Sequence, residues 1–200
     1  MTDFLVNRHY NLYSNKQLSY KVYICNDCTK KKKEYIQQDT EYKPCDILNL
    51  GYIGLTCGKY PIIITTPIML CPFGFNSQNH ILNLQFTNIK NDPEMNSFYN
   101  FIQELELKQM KYIGLSEDTA DLYLSQIRQD KEKKYDPNLL VKVPFQNNSY
   151  NVSIKHKDSS VSVRNIFKFS KLKCDIYIDN IWKFNDKYIC KWKVNKILVL

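Results

Sequence analysis

Catalysis needs reactive groups within reach of one another, and this chain offers few. Its three histidines, His9, His80 and His156, stand far apart, and no H-E-x-x-H, G-x-S-x-G or Walker motif is present. Cys71, in the apolar setting PIMLCPF, is a candidate nucleophile with His80 as its base, although a cysteine in an apolar strand also serves as a small core residue. Cys25 and Cys28 form a C-x-x-C, which Cys45 and Cys57 would complete to four zinc thiolates. Their separations are irregular, whereas zinc ligands ordinarily come as two tight pairs. The glycines of GYIGLTCGKY lack the G-K-[ST] ending of a phosphate loop, since Tyr60 follows Gly58 and Lys59. Asp175 and Asp179 share one face of an expected strand, but surrounding lysines balance them. The expectation is a protein without catalysis, bound metal or cofactor.

What remains is charge and rings. The final run, DIYIDNIWKFNDKYICKWKVNKILVL, is expected to form two long strands joined by a turn at Asn185 and Asp186. Alternation puts Tyr188, Cys190, Trp192 and Val194 on one face, and Lys187, Ile189, Lys191, Lys193 and Asn195 on the other. One face enters a core and the other is largely basic. A lysine-lined strand beside aromatic residues is how single-strand nucleic-acid binders are laid out, with phosphates on the lysines and bases on the rings. Such lysines also serve simply to solvate a strand and discourage edge-to-edge pairing. The formal net charge is +8, and its distribution sharpens the point: residues 131–200 carry fifteen Lys/Arg against six Asp/Glu, whereas residues 92–130 carry three against eight. A polyanion would meet the last third of the chain.

The elements that position these residues follow in order. Residues 1–58 show only short alternations, such as Tyr20, Val22 and Ile24, with Lys30 to Lys33 in an exposed loop or hairpin tip. Ile62 to Thr66 is a β-branched strand broken at Pro67, and HILNLQFTNI is a second strand with Leu82, Leu84 and Phe86 facing the core. Asp92 and Pro93 open a helix whose apolar stripe is Met95, Phe98, Ile102, Leu105 and Gln109, and which Gly114 ends. Ser116 caps a second helix with Ala120, Tyr123, Leu124 and Ile127 on its buried face. Beyond a charged connector, LLVKVPF, YNVSIKH, VSVRNIFKF and LKCDIYIDNIW read as strands, with a turn at Asn147, Asn148 and Ser149. Strands, then two helices, then strands give an α+β fold around a β-barrel, as one domain over residues 1–200. No secretory leader and no membrane-spanning run is evident, so a soluble intracellular protein with reduced thiols is expected.

Thr66 and Pro67, the apolar residues after them, and Pro72, Phe73 and Gly74 resemble a signature of the single-stranded-DNA-binding proteins of nucleocytoplasmic large DNA viruses. The segments ILNLQF, EMNSFYNFIQEL, KEKKYDPNLLVKVPF and IYIDNIWKFNDKYICKWKVNKI are similar to parts of that family in the same order, from about Lys59 to Leu200. The resemblance implies an OB-like β-barrel with two helices inserted between early and late strands. It also implies a non-catalytic protein that coats single-stranded DNA, with RNA as a second substrate, during viral DNA replication, repair or recombination. Partners would be viral replication proteins and further copies of the chain, with no membrane contact. The location would be the host cytoplasm, in the viral factory, and the virion. Under this resemblance Lys187, Lys191 and Lys193 contact phosphates, with Lys142, Lys155 and Arg164 on neighbouring strands, and Trp182 and Tyr188 are the first rings to stack on bases. Trp192 is assigned to the core. The chain is short for that family, which leaves the alternative of a structural or assembly protein keeping the barrel for protein contacts.

Overall fold

A computed structural model of the protein describes residues 18–25, 33–36, 51–57, 62–156, 159–178, 180–184 and 186–200. Three early strands, β1 (Leu18–Cys25), β2 (Lys33–Ile36) and β3 (Gly51–Cys57), pair antiparallel with β1 in the middle. The β-branched run follows as β4 (Ile62–Thr65) and β5 (Met69–Cys71), broken at Thr66 to Ile68 as Pro67 requires. Across the break the Thr66 N–H donates to the Cys174 carbonyl at 2.8 Å, and the Thr66 hydroxyl accepts from the Cys174 N–H at 3.1 Å. Next comes β6 (Ile81–Gln85), whose alternation buries Leu82 and Leu84 as expected.

The helix α1 spans Pro93–Tyr112, and every residue of the expected stripe is buried. Asp92 caps it: one carboxylate oxygen accepts from the Glu94 and Met95 N–H groups, at 3.0 Å each. Gly114, at φ +76, supplies the left-handed residue after its end. Asp92→Ala is expected to lower stability by about 1 kcal/mol in urea unfolding. The second helix differs from expectation. It is a 3-10 helix over Glu117–Leu122 only, after which the chain extends as β7 (Tyr123–Leu124) and β8 (Ile127–Arg128). The reason is tertiary: Tyr123 and Leu124 are pulled into pairing with Tyr188 and Ile189.

The late strands are β9 (Asn138–Lys142), β10 (Phe145–Gln146), β11 (Ser149–Tyr150), β12 (Ser153–His156), β13 (Ser159–Ser160), β14 (Ser170–Ile178), β15 (Asn180–Phe184), β16 (Lys187–Cys190) and β17 (Trp192–Val199). VSVRNIFKF is not a strand; it holds a 3-10 turn, Val163–Asn165, that buries Val163 and Ile166. The two long final strands are each divided, into β14 and β15 and, at Lys191, into β16 and β17, and their halves enter different sheets.

Following the pairings from β5 to β6, β9, β17, β14 and back to β5 closes a five-stranded barrel, with β9 and β17 parallel and the other neighbours antiparallel. Leu139, Val141, Leu172, Cys174, Ile176, Trp192, Val194 and Ile197 point inward and are buried. This is an α+β, OB-like barrel with α1 and the 3-10 helix inserted between its second and third strands. Phe86 joins α1 to the barrel, with its ring 5.8 Å from Phe98 and 5.0 Å from Tyr99. The other halves of the long strands, β15 and β16, form a hairpin that leaves the barrel. They extend the early strands into a six-stranded sheet of order β2-β1-β3-β15-β16-β7.

Candidate nucleic-acid interface

Because β14, β17 and their neighbours turn one set of side chains inward, the alternate set must point out. On β14 that set is Lys171, Lys173, Asp175 and Tyr177; on β17 it includes Lys193 and Lys196. Asp175 pairs with Lys196 but Ile176 pairs with Val194, so Asn195 is an extra residue in a bulge that shifts the phase of β17. β9 and then β12 run parallel to β17 on its other side. The register therefore lays out three rows across the outer surface: Tyr177, Lys193, Lys142; then Asp175, Lys196, Ser153; then Lys173, Leu198, Lys155. Neighbouring strands lie about 4.8 Å apart and alternate residues about 6.6 Å apart, so each of these lysines has another about a Debye length away or nearer. Asp175 is the one acid in the rows, and it accepts from the Thr65 hydroxyl at 2.7 Å. Lys191 is exposed in the break before β17. Partial burial and then the charge of Lys191 hold the Lys142 ammonium below the ordinary lysine range. Such a surface is short of anions.

Rings border it. Between β9 and β12 the chain makes the β10–β11 hairpin, closed by Asn147 and Asn148 at φ 50 and 59, the left-handed pair that a two-residue type I′ turn needs. The turn expected there is present. It sets Phe145 opposite Tyr150, and Phe145 stacks on His80 with centroids 4.5 Å apart and planes 15° from parallel. The Tyr150 ring lies 4.8 Å from Phe145, its hydroxyl is 3.1 Å from His80 Nδ1, and Phe75 meets it edge-on at 5.2 Å. Lys142 Nζ donates to the carbonyl of Asn79, beside His80, and so links this stack to the first lysine row.

The sequence candidates divide accordingly. Lys142, Lys191 and Lys193 come together at the start of β17, where Lys193 also lies 5.8 Å over the Tyr177 ring, and Lys155 stands further along it, opposite Leu198. Lys187 does not join them; it belongs to the second sheet, where its ammonium donates to the Asp121 carbonyl at 3.1 Å and pairs with the Asp121 carboxylate at 3.8 Å. Trp182 is also in the second sheet, 42% exposed, opposite Ile189 and Tyr52. Tyr188 is only 3% exposed. It occupies the core face that alternation gives it beside Cys190 and Trp192, so it presents no ring face to a base, and its assignment to stacking is corrected. Arg164 is exposed on the 3-10 turn before β14. Lys173 and Lys196, which no local pattern singles out, and Phe145 and Tyr150 lie on or beside the same surface, as does His80. The visible signal for Phe145 and Tyr150 was FQNNSY, a two-asparagine turn with an aromatic residue near each end.

Two other constellations resolve differently. Cys71 is fully buried and its thiol is pushed up to about 11 by that burial, so it stays protonated near neutrality and offers no thiolate. Cys25 and Cys57 are the last residues of β1 and β3. Cys28, Cys45, Asp179 and Lys30 to Lys32 lie outside the described residues.

The buried Glu106 of α1 accepts from the Ser125 hydroxyl at 2.6 Å and the Gln126 N–H at 2.8 Å, yet its burial raises its carboxyl above the ordinary range. The folded state therefore favours the protonated form. That contribution to stability is complete below about pH 4.3 and is lost as pH rises through the raised value. Glu106→Gln, which keeps polar partners for Ser125 and Gln126, is expected to flatten the decline of Tm over that range in thermal unfolding across a pH series.

No family model matches the chain, and no curated protein matches it. Among solved structures, a C-terminal truncation of the single-stranded DNA-binding protein from bacteriophage Enc34 is similar at a TM-score of 0.40 and 7% identity, covering 80% of this chain and 91% of that one. The same phage protein in complex with single-stranded DNA is similar at 0.40 and 8%, covering 80% and 92%. A likeness this distant assigns no residue of the present chain to a role.

Proposed function

We propose that the protein binds single-stranded DNA without catalysis, on the outer face of β9, β12, β17 and β14. The observation that carries this reading is the register that sets Lys142, Lys155, Lys173, Lys193 and Lys196 on one outward surface bordered by the His80, Phe145 and Tyr150 rings. Phosphates meet the lysines and bases stack on the exposed Phe145 ring, in the manner of single-strand binders. A flexible strand follows such a curved surface, whereas a duplex keeps its bases inside and loses the stacking contribution. The resemblance of PIMLCPFGF and of the later segments to the large-DNA-virus family supports a role in coating strands exposed during viral replication, repair or recombination.

Fluorescence anisotropy of a labelled oligonucleotide tests it, in single-stranded DNA, single-stranded RNA and duplex forms. The reading predicts that single-stranded DNA binds more tightly than duplex and that binding weakens as salt rises. RNA binding as tight as DNA binding widens the substrate to both. No binding of any form at low salt overturns the reading and leaves the barrel as a protein-contact module.

A further inference from the structure

Three phenylalanines stand out on the surface at a place none of the lysine rows reaches: Phe73, Phe167 and Phe169 are 62%, 67% and 69% exposed. They come from two segments that the backbone locks together. The Phe169 N–H donates to the Cys71 carbonyl at 2.8 Å, and the Phe75 N–H to the Ile166 carbonyl at 3.0 Å. Gly74, at φ +70, lies so close that a Cβ there would meet the Ile166 oxygen at 2.8 Å and the Phe167 carbon at 2.9 Å. The Pro72, Phe73, Gly74 motif is thus a clamp that fixes Phe73 beside the chain carrying Phe167 and Phe169.

The charged side chains on these two segments are all of one sign. Residues 161–174 hold Arg164, Lys168, Lys171 and Lys173 with no acid, and residues 66–80 hold no Asp, Glu, Lys or Arg. Exposed rings among cations suit a partner that offers flat apolar groups on a polyanionic chain. The patch is also joined to the proposed interface along the chain, because Phe169 leads directly into β14, which carries Lys171 and Lys173. From Phe73 the same loop leads through Phe75 to the Tyr150 ring.

Resting on the reading above, we propose that Phe73, Phe167 and Phe169 form a second base-stacking station, so that one single strand runs from the His80–Phe145 stack across the lysine rows to this patch. The strand's occupied length is then set by two aromatic ends with a basic span between them.

The test compares the full chain with F73S/F167S/F169S and with F73Y/F167Y/F169Y, on oligothymidylates of about 6 and about 16 bases, the range one such barrel covers. The serine variant is expected to lose at least about ten-fold in affinity for the longer strand and less than about two-fold for the shorter, with the salt slope unchanged because stacking releases no counterions. The tyrosine variant, which keeps the rings, is expected to bind as the native chain does. Unchanged affinity of the serine variant for the longer strand overturns the station while leaving the lysine interface standing. Equal losses at both lengths overturn it as a separate end of the path. Failure of the native chain to bind either length overturns both readings. Sedimentation of the three proteins alone adds a last arm: dissociation of a dimer by the serine variant, with affinities retained, would make the patch a contact between copies and would also overturn the station.

Discussion

Replacing Lys142, Lys173, Lys193 and Lys196 together by alanine is expected to lower affinity for single-stranded DNA by more than about a hundred-fold at low salt, and to make the dependence of log affinity on log salt shallower by about 3. The size follows from the surface. Each lysine in contact with a phosphate releases a counterion, at a slope of about 0.7 per phosphate on a single strand, and four are removed. The fold should not suffer, because these side chains point away from the barrel interior and their mutual repulsion is relieved. Lys187→Ala is the matched control. Its ammonium is engaged by Asp121 in the other sheet, so affinity should stay within about two-fold. Anisotropy titrations at several salt concentrations read both quantities.

Phe86→Ala is expected to cost about 3–5 kcal/mol in urea unfolding, a large share of the roughly 5–15 kcal/mol that holds a domain folded. Phe86 is completely buried at the end of β6, and its N–H donates to the Pro137 carbonyl at 2.9 Å, just before β9 begins. Its ring meets Phe98 and Tyr99 on α1. One side chain therefore joins the helix to the strand pair that carries Lys142. Truncating it leaves a cavity between layers, and α1 loses the ring contacts that Phe98 and Tyr99 make with the barrel. Loss of nucleic-acid binding should follow only at temperatures where this variant begins to unfold.

How far the sequence revealed this arrangement differs by element, and the reason is range. α1 was legible from end to end because every signal for it is local: the Asp92 cap, Pro93, apolar residues at steps of three and four, and Gly114. The inward face of β6, and that of β17 up to the bulge at Asn195, were legible for the same reason, since alternation is a property of consecutive residues. Alternation even placed Tyr188 correctly, on the face of Cys190 and Trp192; choosing it for stacking set that pattern aside. What was not legible depends on partners far along the chain. Nothing near Asp179 or Lys191 announces that β14 and β17 stay in the barrel while β15 and β16 leave it. That break removes Lys187 and Trp182 from the lysine surface. The rows themselves join residues sixteen or more positions apart, such as Lys173, Leu198 and Lys155, through a bulge at Asn195. His80 and Phe145 share no local pattern, and only the pairing of β6 with β9 brings them together.

The claim that these rows form the binding surface is tested most directly by lysine acylation footprinting, read residue by residue in a mass spectrometer with and without saturating single-stranded DNA. The account predicts protection of Lys142, Lys155, Lys173, Lys193 and Lys196 on binding, with Lys187 and the α1 lysines, Lys108 and Lys111, unchanged. Protection centred on Lys187 or on α1, with the lysines of β9, β12, β14 and β17 still reactive in the saturated complex, would contradict it.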